Sequence, residues 1–328
     1  MNPILISANI QSSKILAELS VANSHIEFSK RVMRLMKVDP LLRFLQIFLI
    51  LFLPAYQCQS QEIVARAYSN APIGTNFITA GLNQGRSGSY LLNTQVLSFT
   101  RVIDIAGQSG GLTVVVPYAE LTGSGRYKGQ SINAAADGLS DPLIKASVNL
   151  FGAPALSKSD FKNYQQDLIV GASVAATIPW GQYNNDQLIN VGANRSLIQT
   201  ALGASQASGP WRFELAGMAT VFTRNNSYMQ TNSLAQSPIY SGSSHAIYYL
   251  SNASWLSIGG TYFTGGELYV NGAQVSGTQE NWRLGGTFSY PINSENSIRF
   301  TVAKGVYSRS NTSYNTFGVS WQYFWGGS

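Results

Sequence analysis

From about residue 61 to the end, the chain alternates apolar residues with small or polar ones. In the final segment the large side chains stand two positions apart, at Phe317, Val319, Trp321, Tyr323 and Trp325. A period of two places all of them on one face of a β-strand. Apolar spacing typical of helices is almost absent from this region. The pattern therefore predicts an all-β body.

Twelve segments carry this alternation, with turn-forming residues between them, at about 73–83, 91–104, 111–122, 139–151, 167–178, 190–204, 210–223, 240–251, 254–265, 280–290, 296–307 and 313–325. Short connectors (105–110, 205–209, 252–253 and 291–295) and long ones (123–138, 179–189, 224–239 and 266–279) fall at opposite ends. An even strand number with short turns at one end is typical of outer-membrane barrels. Each segment is near the ~10 residues that a tilted strand needs to cross a bilayer.

Two places depart from this regularity. The connector at 152–166 is long although it falls among the short turns, and Ser157 or Ser159 can cap a brief helix there. Lys304 interrupts an otherwise apolar face. A β-bulge at Gly305, or a position near the rim, would accommodate this charge.

Composition favours a membrane barrel over a soluble β-sandwich, which would alternate in the same way. Charged residues make up 11% of the chain, against a usual ~25%, and aromatic residues make up 12%. Aromatic residues stand at segment ends, as the girdles of a membrane barrel require: Trp211, Trp282, Tyr290, Trp321, Tyr323 and Trp325. We therefore predict a transmembrane antiparallel up-and-down β-barrel of about 12 strands.

The N-terminal region has the order of a secretory signal peptide: basic residues, an apolar stretch at 41–53, then polar residues. Its uninterrupted part is too short to cross ~30 Å of hydrocarbon as a helix. A buried helix or a short membrane anchor is the alternative. We expect a signal peptide at 33–60, preceded at 1–32 by an upstream extension or an over-called start, since Met33 and Met36 are natural starts. Residues 61–72 would form a periplasmic lead-in, and residues 73–328 the barrel in the outer membrane of a Gram-negative bacterium.

Isolated charges on the polar faces of the segments are the candidates for lining the lumen: Asp141, Lys145, Asp167, Arg212, Glu214, Arg283 and Arg299. They could line a narrow pore or a binding site, or form cross-strand pairs that fill a small barrel. A twelve-stranded barrel is narrower than the porins with open aqueous channels. We therefore expect a restricted lumen.

The lead-in carries three further candidates, Arg66, Tyr68 and Asn70. This stretch could enter the lumen as a plug or latch, or remain in the periplasm. The sequence leaves both alternatives open.

Other classes of function have little support. Cys58 is the single cysteine and only two histidines occur, so we predict no disulfide framework, no metal site and no cofactor. His245 lacks the His-x-Ser arrangement of outer-membrane phospholipases, because residue 247 is isoleucine. The sequence has no basic patch interleaved with aromatic residues, which would indicate nucleic-acid binding. We do not expect an enzyme.

From about Ala65 onward, the chain resembles the bacterial outer-membrane proteins grouped under the MetA pathway of phenol degradation, or transporter proteins. The stretches that carry the resemblance are residues 65–74, 138–142, 148–156, 164–167, 179–183, 209–211, 260–266, 281–285 and 321–325, including Pro179-Trp180-Gly181-Gln182-Tyr183 and Trp321-Gln322-Tyr323-Phe324-Trp325. The resemblance implies an outer-membrane barrel that helps hydrophobic or aromatic compounds to cross. Trp180 and Ser237-Pro238 depart from the family pattern.

These observations together predict a channel or transporter for small, hydrophobic or aromatic organic compounds. Its partners would be the lipid bilayer of the outer membrane, the barrel-assembly machinery and a small organic solute. The alternative is a structural or adhesive barrel with a filled lumen. An enzyme on the barrel surface is a weaker alternative.

Overall fold

The structure is a computed structural model that describes residues 65–127, 130–187, 189–309 and 313–327. The predicted signal peptide and the upstream extension lie outside these described residues. So does the first part of the predicted lead-in.

The described chain contains one short helix and seventeen strands. The strands are β1 (Thr75–Ser87), β2 (Tyr90–Ile105), β3 (Gln108–Tyr127), β4 (Gln130–Leu139), β5 (Leu143–Phe151), β6 (Leu168–Thr177), β7 (Leu197–Ser208), β8 (Trp211–Phe222), β9 (Asn225–Tyr228), β10 (Asn232–Gln236), β11 (Ile239–Tyr249), β12 (Trp255–Gly265), β13 (Leu268–Val270), β14 (Ala273–Gln274), β15 (Gln279–Pro291), β16 (Asn296–Ser308) and β17 (Asn315–Gly326). The helix, α1, is Lys158–Phe161, and Ser157 caps it by accepting a hydrogen bond from the Asp160 amide.

The long strands form a closed antiparallel barrel of twelve positions, which confirms the predicted fold class. β1 pairs with both β2 and β17, and β2 pairs with β3, so the sheet closes on itself. β4 and β5 share one position, because both pair with β3. No helix in the described ranges combines the length and the apolar character needed to cross a membrane.

The strand boundaries differ most from prediction in four places. β3 continues to Tyr127, into the loop predicted at 123–138. Residues 190–196 belong to a loop, and the strand predicted at 190–204 begins only at Leu197. The fourth predicted strand is interrupted at 140–142 and extends back to Gln130. The loops at 224–239 and 266–279 contain β9, β10, β13 and β14, which form a separate four-stranded sheet. Alternation over two to five residues is too short to distinguish such strands from loops.

A β-bulge lies next to Lys304, as the sequence predicts. Arg283 pairs with Gly305 while the preceding Trp282 pairs with Tyr307, so β16 holds one extra residue there. The extra residue bends the strand locally and increases its twist. Lys304 itself is exposed on the outer face.

The two faces of the barrel differ in chemistry. The outer face exposes large apolar side chains, including Leu82, Leu215 and Ile258, which are more than 60% exposed. The inner face carries mostly small and polar residues, such as Ser241, Ser243 and Thr261. This inversion of the soluble pattern suits a wall surrounded by lipid.

Aromatic residues gather at both ends of the wall. At the end with short turns, the rings of Tyr323 and Trp325 stack at 5.3 Å, and Trp211 lies 4.8 Å from Tyr248. Tyr290 and Trp321 lie at the same end. At the end with long loops, Trp282 lies 4.8 Å from Tyr262. Their contact with the membrane interface stays a prediction.

Candidate functional site

The segment at 65–74, here called the N-terminal segment, runs along the inside of the barrel at the short-turn end. The Gly74 amide donates to the carbonyl of Val102 over 3.0 Å, and the Ile73 amide donates to Leu156 over 2.9 Å. Further along, the Asn70 side chain donates to the Pro154 carbonyl over 3.1 Å. These bonds carry the segment from β1 past the ends of β2 and β5 and into the lumen.

Tyr68 fits against two glycines of the inner wall. Gly171 on β6 and Gly203 on β7 are directly paired across the sheet. A Cβ atom added to Gly203 would lie 2.5 Å from the Tyr68 ring, and one added to Gly171 would lie 2.8 Å from it. Tyr68 is 5% exposed and packs with Ile169 and Ala216. The absence of side chains at both glycines is therefore what admits the ring.

Glu214 on β8 holds the next turn of the segment. The Arg66 amide donates to Oε2 of Glu214 over 2.9 Å, and the amides of Ala67 and Tyr68 also bond to this carboxylate. Three consecutive amides converge on one anion because Arg66 adopts a φ of 70°. This left-handed conformation costs a non-glycine residue about 1–2 kcal/mol, which the bonds to Glu214 offset.

Three guanidinium groups surround two aromatic rings beside this contact, and we call Arg66, Arg212 and Arg299 the arginine cluster. Arg66 lies 5.5 Å from the Tyr249 ring centroid and 5.6 Å from that of Trp255. Arg212 lies 5.4 Å from the Tyr249 ring, and Arg299 lies 5.3 Å from the Trp255 ring. These distances allow cation–π attraction.

The structure brings Arg212, Glu214, Arg299, Arg66 and Tyr68 together at the short-turn end. The remaining lumen candidates lie elsewhere. Arg283 donates to the Tyr314 hydroxyl and, over 3.2 Å, to that of Thr316. Its guanidinium also lies 3.7 Å from the Tyr314 ring centroid.

Asp141, Lys145 and Asp167 are also apart from the arginine cluster. Asp141 accepts hydrogen bonds of 2.8 Å from the amides of Gly181 and Ala193, so it anchors a long loop. Lys145 is half-buried on the inner face of β5. Asp167 is exposed and accepts a bond of 2.7 Å from the Gln206 side chain.

At the long-loop end, residues 179–187 and 189–196 together with β9, β10, β13 and β14 form a structure that we call the outer cap. It has its own apolar interior, including Ile189, Leu234 and Leu268. Arg195 is buried in it, where its guanidinium lies 4.9 Å from the Phe222 ring and donates to Gln236. Burial lowers the pKa of the Arg195 guanidinium to about 10.

We expect Arg195→Ala to loosen the outer cap while leaving the barrel intact. The change removes the ring contact with Phe222 and the charged donor to Gln236, a loss of about 1.5–3 kcal/mol. Limited proteolysis should then cut residues 179–196 about tenfold or more faster. Arg224→Ala is the matched control, since Arg224 is exposed in the same region. Equal cleavage of both variants would contradict this role of Arg195.

Sequence reasoning missed Tyr249, Trp255, Gly171 and Gly203. Trp255 begins β12 directly after a short connector at 250–254, which is a signal for a rim residue. Its inward direction, however, depends on strand register. Gly171 stands among the small residues of a polar face and Gly203 lies in a weakly alternating segment, so the sequence offers no signal for their pairing.

A family model described as "Putative MetA-pathway of phenol degradation" matches residues 69–323. The COG4313 outer membrane channel from Pseudomonas putida F1 is 17% identical with a TM-score of 0.70, covering 80% of this chain and 100% of that one. This similarity shows the fold alone. No curated protein matches the chain.

Two other solved structures are more distant. The KdgM porin is 9% identical with a TM-score of 0.41, covering 75% of this chain and 98% of that one. The transport unit of the autotransporter AIDA-I from Escherichia coli is 11% identical with a TM-score of 0.45, covering 83% of this chain and 96% of that one. Neither similarity carries an argument about this protein.

Proposed function

Since this chain belongs to the family described as "Putative MetA-pathway of phenol degradation", we propose that it is an outer-membrane channel for small hydrophobic or aromatic organic compounds. The observation that carries the proposal is the N-terminal segment, which narrows the short-turn end and is held in the lumen by noncovalent contacts. A restriction of this kind can be displaced to pass a small solute while excluding larger ones.

The order of features along the lumen suggests a route. A solute would meet the outer cap first, then a wall of small and polar side chains such as Ser243 and Thr261. It would leave past Tyr68 and Glu214, where the N-terminal segment lies. Export would require the predicted signal peptide at 33–60, and insertion would require the barrel-assembly machinery.

A structural barrel with a filled lumen is the second candidate, and the packing of the N-terminal segment favours it. Ala65 and Tyr68 are both 5% exposed, as expected for permanent filling. The two candidates differ in whether the segment ever leaves its position. We assign no catalytic role to His245, which lies on the inner face of β11 opposite Glu214.

Reconstitution of the full mature chain tests the channel. We expect stepwise conductance in planar bilayers. We also expect phenol to enter liposomes that contain the protein faster than it enters protein-free liposomes. Protein unfolded by heat before reconstitution is the control. Its gel mobility should no longer change on heating, which verifies that it is unfolded. A sealed bilayer together with unchanged phenol entry would favour the structural barrel.

A further inference from the structure

The arginine cluster has an excess of positive charge over the acidic groups that the described part of the chain places beside it. The carboxylate beside it is that of Glu214, which already accepts the amides of Arg66, Ala67 and Tyr68. Among the residues that the structure describes, the ion pair that forms is between Arg309 and Glu280, at the other end of the barrel. Three guanidinium groups therefore face one occupied carboxylate.

Two of these guanidinium groups lie over the same ring. Arg66 and Arg299 are both within 6 Å of the Trp255 ring centroid. Like charges this close repel each other strongly when water is limited. The Nε atom of Arg299 is also buried, and no hydrogen-bond acceptor meets it within the described chain. A buried donor without an acceptor is costly, so this place favours an added anion.

The surroundings of the charges are apolar and aromatic. Tyr249 packs against a buried cluster of Ala65, Ile247 and Trp255. An inorganic ion would gain nothing from these groups, whereas an aromatic ring would. Arg66 is exposed, and Arg212 and Arg299 are partly exposed, so a solute can reach the cluster.

We propose that Arg66, Arg212 and Arg299, with Tyr249 and Trp255, form a binding site for the anionic group of a small aromatic acid or phenolate. The site deepens the proposed function, on which it rests, by naming a charged class of aromatic solute. The oxygen of the solute accepts hydrogen bonds from the guanidinium groups, and its ring packs against the neighbouring apolar side chains.

Arg283 illustrates a different role for a lumen arginine. Its guanidinium already donates to Tyr314 and Thr316 and lies over the Tyr314 ring. Within the arginine cluster, Arg212 donates to the Gly209 and Trp211 carbonyls over 2.9 and 2.8 Å, whereas the buried Nε atom of Arg299 has no acceptor among the described residues. Arg66, by contrast, belongs to the N-terminal segment, so the site is complete only while this segment lies in the lumen.

Calorimetric titration of the detergent-solubilised full mature chain tests the site. At neutral pH we expect benzoate to bind. Benzyl alcohol should bind at least about tenfold more weakly because it lacks the charged hydrogen-bond acceptor. Inorganic phosphate should also bind at least about tenfold more weakly because it lacks the aromatic ring. Arg299→Gln and Arg212→Gln should each weaken benzoate binding about tenfold. Arg299→Lys should weaken it less, because it keeps the charge.

Arg309→Gln is the matched control, since it removes one positive charge at the far end and should leave benzoate binding unchanged. Heat-dependent gel mobility verifies that each variant folds. Equal binding of benzoate and benzyl alcohol, equal binding of phosphate, or no benzoate binding would each overturn the proposal. Titration requires no conduction. If the protein binds benzoate but does not conduct, only the proposed channel function is contradicted. If it conducts but shows no charge-dependent binding, only the proposed binding site is contradicted.

Discussion

Replacing Glu214 with alanine is expected to raise the conductance of the reconstituted barrel several-fold. The side chain gathers the amides of Arg66, Ala67 and Tyr68, and hydrogen bonds to a charged group each contribute about 1.5–3 kcal/mol. Losing about 3 kcal/mol shifts an equilibrium roughly a hundredfold. The N-terminal segment should then leave the lumen for much of the time, and single-channel recording would measure the larger open fraction.

Two further variants make this result specific. Glu214→Gln keeps an oxygen acceptor but not the charge, so its conductance should lie between those of the wild type and of Glu214→Ala. Asp167→Asn removes an acid at the same end whose side chain accepts a bond from Gln206 of the barrel wall. It should conduct like the wild type. If Glu214→Ala also conducts like the wild type, Glu214 does not hold the segment.

The barrel could be predicted because its main determinant is local. A period of two along each strand determines which side chains face lipid. The connector lengths indicate which end of the barrel has the short turns and which has the long loops. The predicted segment at 280–290 and the observed β15 at Gln279–Pro291 differ by one residue at each end. Ser157 capping α1 is equally local, since the cap and the amide that it accepts are three residues apart.

The contents of the lumen could not be predicted in the same way. Period two places Arg212 and Glu214 on the polar face, but it does not show that Glu214 accepts amides of the N-terminal segment or that Arg212 lies against the Tyr249 ring of β11. Arg66 lies 148 residues from Glu214 in sequence. Likewise, Arg283 on β15 donates to Tyr314 and Thr316, which lie beyond β16, just before and within β17. Such contacts depend on register and closure.

The outer cap was predicted as loops for a related reason. Its strands are short, and β9 consists of four polar and aromatic residues, Asn225–Tyr228. They form a sheet because β10 pairs with both β9 and β13. Asp141, a predicted lumen residue, accepts loop amides at the interruption between β4 and β5, a contact that the sequence does not indicate.

Replacing Gly203 with alanine is expected to displace the N-terminal segment from the inner wall of the barrel. The new Cβ atom would lie 2.5 Å from the Tyr68 ring, so the ring must move away from β7. Overpacking of this kind costs about 1–3 kcal/mol, and it acts without changing the segment itself. Single-channel conductance should rise, as for Glu214→Ala.

Gly217→Ala on the adjacent strand is the matched control, because a Cβ atom there has no neighbour within 4 Å. It should leave conductance unchanged. Tyr68→Ala should also raise conductance, and adding Gly203→Ala to it should raise it little further, because the clashing ring is already absent. Contacting residues are expected to be non-additive in this way. Full additivity of the two changes would mean that Gly203→Ala acts on the barrel wall, and that the Tyr68 ring does not hold the segment against β7.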